Sequence, residues 1–178
     1  MEFPDVVRKR RMVRNFTDQP VPDETIERII ALAQRGPTAG FSQGVSFVVV
    51  TDPDMRRKIG EIAGEDESYV AGGFDPFVSR APVQVVICTS EKVYRDRYAE
   101  PDKLGPNGEQ IEWPVPYWHT DAGAALMLLL LAGVNEGLAT AFVGAHEPEQ
   151  LNELLGIPND FCPIGIAMLG HAAPDRKS

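Results

Sequence analysis

Seven residues near the N-terminus, RKRRMVR (8–14), hold five of the 17 lysines and arginines of a chain whose formal net charge is −9. Guanidinium groups present forked donors that engage phosphate oxygens two at a time, so this cluster suits a phosphate-bearing ligand. A solvated basic face, or charge complementing a helix end, accounts equally for the composition. Other chemical signals are missing. No G-x-G-x-x-G or Walker A loop occurs, which leaves a Rossmann or P-loop nucleotide site unsupported. His119, His146 and His171 lie far apart, with neither H-E-x-x-H nor paired cysteines, so no metal site is expected. There is no G-x-S-x-G elbow. Cys88 and Cys162 each sit in an apolar, strand-like run and are expected to be small buried hydrophobes in a reducing compartment.

The elements that must position the cluster follow from periodicity. Residues 4–13 predict a first helix, with Pro4 and Asp5 at its start and a basic end. Ile26, Ile29, Ile30 and Ala33 fall at i, i+3, i+4, i+7, an amphipathic helix closed by Gly36-Pro37. The loop TAGFSQG leads into VSFVVVT (45–51), a buried strand, followed by a helix at 54–64. Residues 65–79 read as irregular. VQVVICT (83–89) is a second buried strand, and residues 91–119 form a long aperiodic loop, the kind that is functional or mobile. The stretch 120–136 is apolar nearly all round, so it needs cover on every side, and a homodimer interface is the natural cover. A strand at 138–144, a helix over EPEQLNELLG and a strand at 162–170 complete an α+β (α/β-like) domain. Its helices pack around a central mixed or antiparallel sheet.

The gross numbers limit partners. At 178 residues, 43% apolar and 24% charged, the chain reads as one domain spanning 1–178. A net acidic surface disfavours nucleic acid and anionic membranes as partners. The longest uncharged apolar run, 122–134, falls short of the about 20 residues a bilayer span needs and reads as a buried helix. The N-terminus has no apolar secretory region, so a cytoplasmic location is expected.

RRMVRNF (10–16), GPTAGFSQG (36–44), APVQVVI (81–87) and GLATAFVGAHEPEQLNELLGIP (137–158) together resemble the FMN-dependent nitroreductase family, in the family's order. Residues 52–80 and 90–115 lie outside the resemblance. It implies an intertwined homodimer with FMN at the interface. Arg10 and Arg11 match the basic pair at the FMN phosphate, and the neighbouring small polar residue is replaced by Met12, which cannot donate. Arg14 matches the cation on the flavin's pyrimidine side. Pro37, Thr38 and Ala39 match the loop that the second subunit supplies, and the family's usual Asn there is replaced by Phe41. Gly144 matches the residue whose backbone N–H approaches the flavin N5 edge, and the acidic residue often before it is Val143. Arg176 and Lys177 match the basic C-terminal pair that completes the phosphate site.

The function implied is an NAD(P)H-dependent FMN oxidoreductase that passes hydride to a small aromatic acceptor, a nitroaromatic or a quinone. No catalytic side chain is needed, because the flavin carries the chemistry. Trp113, Tyr117 and Trp118 either wall the substrate site or pack over the dimer helix. A different class is a flavin-storing protein with little turnover, in which Phe41 covers the flavin face. A deazaflavin in place of FMN is a third reading.

Overall fold

In the computed structural model, which describes residues 1–174, four strands form one sheet in the order β1-β2-β4-β3. They are β1 (Val45–Val50), β2 (Val83–Thr89), β3 (Ala139–Gly144) and β4 (Cys162–Gly170), and every pairing is antiparallel. β2 is buried at all seven positions because it has a strand on either side and helices on both faces. Strand alternation sends Val83, Val85 and Ile87 toward Ile26, Ile29 and Ala33 of α2 (Asp23–Ala33) and Leu129 of α5 (Tyr117–Asn135). Val86 and Cys88 point the other way. They meet Ile59 of α3 (Pro53–Ile62) and Leu151 of α6 (Pro148–Leu155). The sheet is thus the middle of three layers.

Four features depart from the sequence reading. The first helix, α1 (Phe3–Lys9), stops before Arg10, Arg11 and Arg14, because the backbone at Arg10 turns extended. Residues 12 and 13 then run along the outer edge of β3: the Val13 N–H donates to the Thr140 carbonyl at 3.1 Å, and the Met12 thioether accepts from the Phe142 N–H at 3.3 Å. An open sheet edge outcompetes the last helical turn. Second, the supposed loop 91–119 contains α4 (Glu91–Tyr98) and the first turn of α5. Ser90 caps α4 by accepting from the Val93 N–H, and the ion pairs Lys92–Asp96 and Glu91–Arg95 lie four residues apart on its face. Its single buried residue, Tyr94, is too little for an apolar period to register. Third, Cys162 is exposed at the start of β4, whereas Cys88 is buried and its thiol is pushed up to about 12 by that burial. The segment expected to be irregular also holds a π-helical turn at Asp66–Val70.

By length and composition α5 could cross a membrane, but half of its apolar window is buried within the chain. Ala122, Ala125 and Leu129 face α2 and the sheet, while Gly123 and Met127 are exposed and Ala124, Leu128 and Leu131 half-buried. The spacing of the second set puts it on one stripe. The chain therefore covers one side of its most apolar helix and leaves an apolar stripe on the other.

Candidate functional site

The residues singled out by sequence fall at two places on opposite edges of the sheet. The first is the outer edge of β3. Met12 and Val13 follow it, and residues 171–174 arrive beside the stretch that comes next: the Thr17 N–H donates to the His171 carbonyl at 2.9 Å, the Ala173 N–H to the Asn15 carbonyl at 3.0 Å, and the Asn15 side-chain amide to the Pro174 carbonyl at 2.7 Å. Arg11, Arg14, Phe74, Asp75 and residues 172–174 line a cleft of ≈ 630 Å³. Arg176 and Lys177 lie outside the described residues. Arg10, Arg11 and Arg14 pair with no carboxylate among the described residues. Arg14 sits over the Phe74 ring at 5.4 Å, a cation–π contact that fixes its direction.

Further along the same edge lies Gly144. Because the Phe142 N–H and the Thr140 carbonyl point outward to residues 12 and 13, the two-residue period of an antiparallel strand turns the Gly144 N–H outward as well. A Cβ built on Gly144 meets nothing within 4 Å. A ligand can thus approach this N–H closely. Val143, next to it, is 5% exposed and packed with Ile166 and Met168, so an apolar side chain is what this position requires. Met12 likewise packs against that core while its sulfur occupies the Phe142 N–H. Its role is to hold the arginine segment to the sheet.

The second place is the loop 37–44, which precedes the opposite edge strand, β1. Gly40, Phe41 and Gln43 all have positive φ (62°, 57° and 57°). For a bulky residue such as Phe41 the left-handed region costs on the order of 1–3 kcal/mol and persists only where the surroundings over-determine it. They do. The Thr38 carbonyl accepts from the Phe41 N–H at 2.9 Å, and the Thr38 hydroxyl accepts from the Gln43 N–H at 2.7 Å. Asp121, 4% exposed on α5, accepts from the Ala39 N–H at 2.7 Å and from the Tyr94 hydroxyl at 2.8 Å. Burial, then this carboxylate, hold the Tyr94 phenol well above its usual pKa. Arg97 donates from Nε to the Gly40 carbonyl at 3.0 Å and forks onto Asp102 at 2.8 Å through both terminal nitrogens. That fork holds Asp102 at about 2. Pro37 and Thr38 also border a cleft of ≈ 510 Å³ between α2 and α5.

Trp113, Tyr117 and Trp118 pack edge-on or tilted against one another and against Tyr94 and Tyr98 of α4, with ring centroids 4.7–6.3 Å apart. Tyr98 carries the loop directly: a Cβ at Gly40 would stand 2.5 Å from its ring. Gly40→Ala is accordingly expected to lower stability by about 1–2 kcal/mol from the backbone alone, read as a drop in thermal unfolding midpoint. An unchanged midpoint would show that the loop does not depend on this conformation.

Sequence reading missed Asp121, Tyr94 and Arg97. Asp121 left a signal, being a lone carboxylate inside an apolar helix, which must find partners when buried. Within one chain the loop and the arginine segment do not meet. β1 and β3 are three strand spacings apart, roughly 14 Å, and no residue lines both clefts.

Known proteins share this sequence pattern and fold. The Nitroreductase family model matches residues 7–171. The iodotyrosine deiodinase of Nematostella vectensis is 38% identical over 195 residues, which cover 99% of this chain and 69% of that protein. The NAD(P)H FMN reductase of Bacillus subtilis is 30% identical over 173 residues, 94% of this chain, and the chain spans 64% of that relative's length. The solved structure of NfrA2 from B. megaterium superposes with a TM-score of 0.78 at 25% identity, covering 99% of this chain and 69% of that one. With 165 consecutive residues under one family model and the same antiparallel three-layer fold, the chain belongs to the Nitroreductase family.

Proposed function

We propose that the chain is an FMN-dependent oxidoreductase, working as a homodimer, that takes hydride from NADH or NADPH and reduces nitroaromatic or quinone-type acceptors. The observation that carries the reading is the outer edge of β3, which turns the Gly144 N–H outward and pairs with Met12 and Val13, residues flanked by Arg10, Arg11 and Arg14, none of which has a carboxylate partner among the described residues. That donor set fits FMN. Arg10 and Arg11 would hold the phosphate, Arg14 would face the pyrimidine edge, and the Gly144 N–H would meet the ring nitrogen. FMN, when bound, supplies the two-electron chemistry between nicotinamide and acceptor. The chain's own part is electrostatic: Arg14, steered by Phe74, favours negative charge at the edge it faces, and the Gly144 N–H is fixed by the sheet before any ligand arrives.

The separation of the two site halves within one chain supports a site shared between two copies, in which the loop 37–41 of one serves the β3 edge of the other. The apolar stripe of α5 offers the surface to bring them together. A second reading, reductive removal of halogen from an aromatic ring, is favoured by the 38% identity to an iodotyrosine deiodinase.

The test is steady-state oxidation of NADH and NADPH with menadione, a nitroaromatic and 3-iodotyrosine, with iodide release followed for the last. Turnover of the first two is expected. Iodide release without quinone reduction would favour the second reading, and a bound flavin with no turnover of any acceptor would leave storage as the function.

A further inference from the structure

We infer that Phe41 is the specificity-determining wall for planar aromatic acceptors, and that Arg97 and Asp121 are its positioning residues. The inference rests on the flavin-oxidoreductase reading above. At 73% exposure Phe41 is more exposed than any other large hydrophobic residue among those described. It also carries left-handed backbone, at φ 57°. A single chain gains nothing from either property, since the ring gives up burial and the backbone gives up torsional energy. What the chain does invest in is the ring's placement. The Arg97 guanidinium donates to the Gly40 carbonyl of the loop and is anchored there by its own sequence neighbours Glu100 and Asp102. Asp121 is buried with two donors, one of them the loop's own Ala39 N–H.

Beneath them the Tyr98–Trp113–Trp118 layer stops the loop from sinking, with Lys103 over the Tyr98 ring at 5.4 Å. Arg97, Tyr98 and Trp113 all come from the stretch 90–115 that connects β2 to α5. The brace ends in an aromatic ring held out toward whatever faces the loop. A ring fixed in this way stacks on flat π-systems and gives little to a compact, ring-free acceptor.

The experiment uses flavin-loaded protein and two acceptors, menadione, which is planar and aromatic, and ferricyanide, which is octahedral and has no ring. The quantity read is kcat/KM for menadione divided by that for ferricyanide. Phe41→Leu is expected to lower this ratio about five- to tenfold, the scale of one aromatic stacking contact. Phe41→Tyr should restore it to within about twofold. Arg97→Ala should lower it as Phe41→Leu does, and the double variant should be no worse than either single one, because both remove the same wall. A purely structural role would depress both acceptors together and leave the ratio in place. An unmoved ratio in Phe41→Leu, at a position too exposed to compromise folding, overturns the inference. An unaltered protein that reduces neither acceptor overturns instead the reading on which it rests.

Discussion

Met127→Glu is expected to yield a folded chain that no longer dimerises and has lost its flavin, whereas Leu129→Glu, two residues on, is expected not to fold. The difference follows from which side of α5 each residue occupies. Leu129 is fully buried between α2 and the sheet, so a carboxylate there removes a core side chain and strands a charge, a loss of about 4 kcal/mol or more. That is a large fraction of the stability of a typical domain, about 5–15 kcal/mol. Met127 is 47% exposed on the apolar stripe, so one chain tolerates the change. Two copies meeting on that stripe do not, because like charges facing one another cost several kcal/mol. Light scattering should report a dimer for the unaltered protein at micromolar concentration and a soluble monomer for Met127→Glu, weakened at least about 100-fold. A flavin-loaded monomer would contradict the shared site altogether.

Arg10→Ala is expected to weaken FMN binding by about 1.5–3 kcal/mol, the scale of a charge-assisted hydrogen bond. In Kd this is about 10- to 150-fold. Stability should change little, since Arg10 has no carboxylate partner among the described residues whose charge would be orphaned. Fluorescence titration of apoprotein with FMN reads the affinity directly. Unaltered affinity would remove Arg10 from the site.

The sheet was legible in the sequence because β-branched runs such as VSFVVV and VQVVICT leave no other reading, and α2 because its isoleucines recur at the helical period. α4 was not, since its helix is built from charges four residues apart around one buried tyrosine, and an apolar period cannot see it. The end of α1 was misplaced because the competing partner, the edge of β3, lies about 130 residues away in sequence. For the site, the arginine cluster announced itself by composition. The strain at Phe41 could not, because a left-handed phenylalanine is imposed by Arg97, Asp121 and Tyr98, all distant in the chain. Val143 and Met12 looked like lost polar contacts. Their packing against the core gives each an apolar duty of its own.

Mass spectrometry of the ligand released on denaturing the purified protein tests the central claim most directly. FMN is predicted, at about one per chain, from a yellow solution. A colourless protein that releases no flavin, or one that releases a deazaflavin, would contradict it.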